Sequence, residues 1–334
     1  MSTVFARLKE VASPTIGLGA MNLSHGYGTP VPEPEALRAL EAAFDMGYRH
    51  FDTATLYGAT ANEQLVGKAL AGKRDEILLA SKCGLFIDPA LGKRALDGRP
   101  ETLRRQCEAS LERLRTDHLD LYYLHRWDKR VPIEESVGAL GRLVEEGKIG
   151  AVGLSEVSAA TLRRARAEYP IAAVQSEYSL WTRNPEIALI EACREADTAL
   201  VAFSPLGRGF LAGAVSDPAD LEESDMRRSM PRFSAENYPR NLRLLEDLRA
   251  VAKELDMTPG QLALAWLLAK GDDVIPIPGS RSVEHMRENL AAEGLRLDAA
   301  TVTRLDAMMT PDRVVGGRYG EAQLAEIDTE EFAS

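Results

Sequence analysis

Short apolar runs rich in β-branched and aromatic residues alternate along the chain with longer stretches whose apolar positions recur at helical spacing. Eight such pairs can be traced. The runs at 15–20, 48–52, 77–82, 119–125, 149–155, 171–175, 199–204 and 274–278 predict strands, and helices are expected near Glu33, Thr60, Pro100, Ile133, Ser158, Pro185, Thr258 and Ser282. Such alternation predicts parallel strands joined by helical crossovers.

Local signals sharpen several boundaries. Thr60-Ala-Asn-Glu63 and Thr258-Pro-Gly-Gln261 read as capping boxes, the second with Pro at the first helical position. Gly147 stands where a helix should stop. An open doubly wound sheet would show a Gly-x-Gly-x-x-Gly fingerprint after its first strand, and none follows any strand here; Gly207-Arg-Gly209 has the wrong spacing. A closed (β/α)8 barrel, an α/β fold occupying 1–334 as one domain, is the expected architecture. The stretch 205–240 exceeds what a barrel connection needs and is expected to be a lid, with an extra helix near 241–256. An irregular tail is expected over 311–334.

Composition narrows the function classes. The 334 residues carry 40 basic against 51 acidic side chains, a formal net charge of −11. That balance opposes broad binding to nucleic acid or anionic lipid. Cys83, Cys107 and Cys193 lie far apart, which gives neither a disulfide framework nor a metal site and suits a reducing cytoplasm. The first ten residues hold no apolar leader core, and no run approaches the ~20 apolar residues of a membrane span.

In a barrel the active site forms at the carboxyl ends of the strands. The second, third and fourth runs end on Asp52, Lys82 and His125, and Tyr57 follows Asp52 by one loop. A phenol titrates near ~10 and protonates a carbonyl poorly unless a cation stabilises its phenolate. Lys82 can be that cation, Asp52 can hold it, and His125 can supply a further donor. His50 and His118 read as packed or loop residues, and Cys83 should face away from Lys82. Met226-Arg-Arg-Ser-Met-Pro-Arg232 reads as a solvated lid face, with contact to a bound pyrophosphate as the lesser alternative.

Gly47-Tyr-Arg-His-Phe-Asp52-Thr-Ala-Thr-Leu-Tyr57-Gly, Leu79-Ala-Ser-Lys82 and Asp120-Leu-Tyr-Tyr-Leu-His125-Arg resemble the aldo-keto reductase family over nearly the whole chain. The resemblance implies that Asp52, Tyr57, Lys82 and His125 form a catalytic tetrad and that NADPH lies across the mouth. It further implies cofactor contacts from Gly19, Met21, Ser155, Gln175, Phe203, Ser204, Pro205, Leu206, Gly279, Ser280, Arg281, Glu288 and Asn289. Among these, the turn at Gly279, Ser280 and Arg281 runs into a helix N-terminus, which favours a phosphate. Gly153-Leu-Ser155-Glu156 looks closest to a plant and microbial branch, although many members carry Asn where Glu156 stands and several carry Arg where His285 stands. Met21, Phe86 and Trp127 follow strand ends and are expected as apolar walls of the substrate pocket. The expected activity is cytoplasmic, NADPH-dependent reduction of small aldehydes or ketones. Two alternatives share these residues: a cofactor-binding regulatory barrel similar to channel β subunits, and a Schiff-base aldolase using Lys82.

Overall fold

The computed structural model describes residues 15–332; the first ten residues, in which no apolar leader core is expected, and the last two residues of the tail lie outside them. Eight parallel strands form one curled sheet: β1 (Leu18–Gly19), β2 (His50–Asp52), β3 (Leu78–Cys83), β6 (Leu121–Leu124), β7 (Val152–Ser155), β8 (Ile171–Glu177), β9 (Ala199–Phe203) and β10 (Val274–Pro276). The sheet closes where Gly17 and Gly19 donate to the carbonyls of Pro276 and Pro278, at 3.0 and 3.2 Å. Glycine is required there, because a Cβ on Gly19 would lie 2.9 Å from the Ile277 carbonyl oxygen.

Leu78, Ala80, Leu121, Tyr123, Ala173, Val201 and Ile275 fill the barrel interior. His50 is buried as well, with both ring nitrogens unpartnered, and burial holds its pKa down at about 4. The packed reading of His50 fits this position.

Helices α1 (Glu33–Met46), α2 (Ala61–Leu70), α3 (Pro100–Leu114), α4 (Ile133–Glu145), α5 (Ala159–Glu168), α6 (Leu189–Glu195), α8 (Pro259–Leu268) and α9 (Val283–Ala291) ring the sheet. In α4 the spacing of Ile133, Val137, Leu140 and Leu143 puts all four in the core, and Gly147 follows at φ 74°. Thr258 and Gln261 form the expected reciprocal cap.

Thr60 does not cap α2. Its backbone is left-handed (φ 81°) with no side-chain cap, and the Glu63 carboxylate accepts from Ser81 and Arg113, both at 2.6 Å. A buried tertiary pair outcompetes the local one. The sixth unit enters its helix through a 3-10 turn, Asn184–Glu186, which carries the expected Pro185.

Three additions surround the mouth. An antiparallel hairpin, β4 (Leu85–Asp88) with β5 (Lys93–Leu96), leaves β3 and was not legible in the sequence. The stretch after β9 passes through short 3-10 turns before α7 (Tyr238–Glu254), which starts before the expected 241. Beyond α9 come α10 (Ala299–Met308) and the tail, whose last helix is α11 (Glu321–Leu324). Among the described residues no helix is long and apolar enough to cross a membrane.

Candidate active site

Asp52 ends β2, Lys82 lies one residue before the end of β3, and His125 follows β6, so the sheet order sets them on neighbouring strands. Lys82 is fully buried and ion-paired with Asp52 Oδ1. Its ammonium also donates to the Thr53 carbonyl at 2.8 Å and to the Tyr57 hydroxyl at 3.2 Å. Gln175 Nε2 holds the other Asp52 oxygen at 2.8 Å. The His125 ring meets the Tyr57 ring edge-on at 5.7 Å, and His25 stacks on Tyr57 at 5.9 Å.

These contacts fix the charge states. Burial works against the Lys82 cation, yet Asp52 and Tyr57 more than offset it, so its pKa is raised. Burial raises the Tyr57 pKa as well; Lys82 opposes that rise without reversing it. The sign expected of Lys82 is therefore present, but the phenol is not acidified on balance. Burial, then Arg126, Lys82 and Arg94, hold the His125 imidazole well below its ordinary range, so it stays neutral.

Tyr57, with Asp52 and His125, opens onto a cavity of about 720 Å³, and Lys82 lies behind its lining. Gly19, Met21, Ser155, Gln175, Phe203, Ser204, Pro205, Leu206, Gly279, Ser280, Arg281, Glu288 and Asn289 all line the same cavity. The Arg281 Nε donates to the Asn22 carbonyl at 2.9 Å, and its Nη2 donates to the Tyr27 carbonyl. Ser282 caps α9 by accepting from the His285 N–H at 3.3 Å. Thr258 donates to Glu288 at 2.5 Å.

An extended dinucleotide fits this cradle. Its volume is within the ordinary range of ligand pockets, ~300–1,000 Å³. A Cβ on Gly279 would meet Asn22 Oδ1 at 2.3 Å and the Gly19 carbonyl oxygen at 3.0 Å, so this turn passes close to the end of β1 with little room for a side chain. The first turn of α9 also presents N–H groups that no intrahelical carbonyl can reach.

Phe86 and Trp127 are not on the cavity. Side chains alternate along β4, so Leu85 lines the cavity and Phe86 points elsewhere. The Trp127 indole N–H donates to the Val131 carbonyl at 2.9 Å, with Arg164 of α5 over its ring. Glu156 is turned away too: with φ 56° it accepts from Ser176 Oγ (2.9 Å), the Glu177 N–H (3.0 Å) and Arg318 (2.8 Å).

The arginine run of the lid is only partly a solvated face. Arg228 is exposed, whereas Arg227 pairs with Asp225 at 2.6 Å and lines the cavity. Arg232 donates inward to the Trp181 carbonyl and Thr182 Oγ1, both at 2.6 Å.

Several lining residues had no sequence signal of their own: His25, Arg94, Arg126, Arg208 and Tyr319. Arg126 directly follows His125, but strand alternation lapses past the strand end and does not place it. Arg208 of the lid donates to Glu177 at 2.8 Å and to the Tyr319 hydroxyl at 3.0 Å, tying lid, barrel and tail together.

A closed parallel barrel with a buried Asp–Lys pair behind a phenol defines a class, and the comparisons agree with it. Residues 15–310 match the aldo/keto reductase family. The chain is 44% identical over 324 residues to the aldo-keto reductase yakc of Schizosaccharomyces pombe, whose name carries NADP(+), covering 96% of this chain and 95% of that one. It is 42% identical over 305 residues to the probable aldo-keto reductase 1 of Glycine max, covering 91% and 88%. The glycerol dehydrogenase AKR11B4 from Gluconobacter oxydans superposes with a TM-score of 0.80 at 29% identity, covering 89% and 92%. The chain belongs to the aldo/keto reductase family of oxidoreductases.

Proposed function

We infer that the protein reduces aldehydes or ketones with NADPH and that Tyr57 gives the carbonyl oxygen its proton. The observation that carries this reading is the Tyr57 hydroxyl, 3.2 Å from a buried ammonium and open to the cavity. When bound, NADPH supplies the hydride. Because the phenol oxygen accepts from Lys82, its own O–H is free to donate toward a substrate oxygen. As that proton leaves, Lys82 stabilises the phenolate, and Asp52 keeps Lys82 charged and aimed. Neutral His125 offers a second hydrogen bond to the same oxygen. Ser155 and Gln175 would orient the nicotinamide end, Phe203 would pack on it, and Arg281 with the start of α9 would take the adenosine phosphate. The NADP(+) in the fission-yeast relative's name supports that cofactor.

The Schiff-base alternative is disfavoured because a nucleophilic lysine must be neutral, whereas Lys82 has its pKa raised and three hydrogen-bond partners. Following NADPH oxidation across aldehydes, ketones and dicarbonyls tests the reading. Tyr57→Phe should lose ~10²–10⁴-fold in rate while still binding NADPH. Oxidation with no carbonyl in the panel, or a Tyr57→Phe enzyme above a tenth of the wild-type rate with chemistry limiting, would overturn it.

A further inference from the structure

Five arginines line the cavity, and their counter-charges differ. Arg94, Arg208 and Arg227 each pair with a carboxylate of the chain: Glu326, Glu177 and Asp225. Arg126 and Arg281 pair with none among the described residues. Arg281 stands at the turn already assigned to the cofactor phosphate. Arg126 does not share that place. It follows β6, fourth in the ring of eight strands, whereas Arg281 follows β10, the eighth, so the two lie on opposite sides of the mouth.

Arg126 is only 7% exposed. Its Nη1 donates to the His125 carbonyl at 2.6 Å and to Ser155 Oγ at 3.2 Å, while its Nε is buried with no partner. A buried guanidinium without a counter-ion is costly, and a fold that keeps one beside an open cavity has left its counter-charge to a ligand. The neighbours offer no substitute. His125 is neutral, Lys82 is matched by Asp52, and the tail carboxylate Glu326, which like Arg126 acts on Arg94, is paired with Arg94 itself.

We propose that Arg126 is a specificity-determining residue that binds a carboxylate on the substrate, making anionic aldehydes or ketones the preferred class. The proposal rests on the reductase reading above and adds the charge of the substrate to it. The planar fork of Arg126 suits a carboxylate. Met21, Leu56 and Leu85 line the same cavity and give the carbon skeleton an apolar wall.

The test compares 2-, 3- and 4-carboxybenzaldehyde, each against its methyl ester, by NADPH oxidation with wild-type protein, Arg126→Met and Arg126→Lys. Benzoate binding is measured by calorimetry on the same three. At least one acid should exceed its ester about tenfold or more in kcat/KM, and Arg126→Met should cut that ratio ~10- to 100-fold, with Arg126→Lys between. Benzoate affinity should fall in parallel, while NADPH affinity holds. Esters reduced as well as all three acids by the wild type would refute the subsite and leave the reductase standing. No oxidation of any aldehyde, with benzoate still bound through Arg126, would do the reverse. A loss in Arg126→Met shared equally by NADPH affinity would move Arg126 to the cofactor and overturn the proposal. Should Arg126→Met not fold, the wild-type ratio and Arg126→Lys decide.

Discussion

Replacing Arg318 by Met removes one of the buried cations that join the tail to the barrel. Its guanidinium is 3% exposed and donates at 2.8 Å to Glu156, whose side chain is fully buried. A second carboxylate, Glu177, lies at 3.9 Å. Breaking one partner of a buried pair costs ~3–5 kcal/mol, because the other charge stays desolvated. With an unfolding entropy of ~2.1 cal/mol/K per residue, that cost lowers the melting midpoint of a chain this long by about 4–7 °C. Glu156 keeps its bonds from Ser176 and the Glu177 N–H, which favours the lower half of the range. Arg304 provides the control. It also grips a glutamate, Glu254, at 2.5 and 3.0 Å, but both side chains are more than half exposed. Arg304→Met should shift the midpoint by about one degree or less. Calorimetry of wild type, both variants and Arg318→Met/Glu156→Gln decides the matter, the double variant recovering part of the loss. Equal midpoints for Arg318→Met and Arg304→Met would refute the reasoning.

Arg281→Ala should weaken NADPH binding ~10- to 150-fold and NADH far less, and paired titrations showing equal losses would place Arg281 off the 2′-phosphate. Lys82→Met removes a charge 3.2 Å from the Tyr57 oxygen, worth about 5 kcal/mol at an effective dielectric of ~20 before desolvation. Reduction at neutral pH should collapse and any phenol-linked limb of the rate profile should move to higher pH; an unchanged profile would refute the coupling. His50, with its pKa held at about 4 against an ordinary 6.5, takes a proton in the unfolded chain before it does in the folded one. Stability from this group is complete above pH 6.5 and is lost as pH falls toward 4, so His50→Gln should flatten that slope in urea denaturation; an unaltered slope would count against it.

The barrel was legible because each unit advertises itself locally. Runs such as Leu121–Leu124 and the 4-3-3 spacing of α4 need no distant partner to be recognised. Asp52, Lys82 and His125 were legible for a related reason: the fold turns strand ends into a site, so position along the chain already implies position in space. What stayed hidden depends on meetings between distant segments. Arg94 sits on a hairpin whose Lys93-Arg-Ala-Leu96 strand carries no apolar alternation, and the alternation of that same hairpin turns Phe86 from the cavity and Leu85 toward it. Thr60 failed as a cap because Ser81 and Arg113 claim Glu63. Glu156 read as a changed cofactor contact, yet its partner Arg318 lies 162 positions away, where no periodicity connects them.

That separation has a consequence for how the molecule is made. The last barrel strand ends at Pro276, but Arg318, Asp328 and Glu330, which bond to Glu156, Ser158 and Ala159, are synthesised some forty to fifty-four residues later. Contacts spanning so much chain carry a high loop-closure cost and form late. A ribosome that has delivered all eight strands has therefore delivered a barrel in which Glu156 still lacks its cation. Completion of the mouth waits for residues 318–330, and a chain cut short before residue 318 exposes its fault as a buried, unmatched carboxylate rather than as a missing strand.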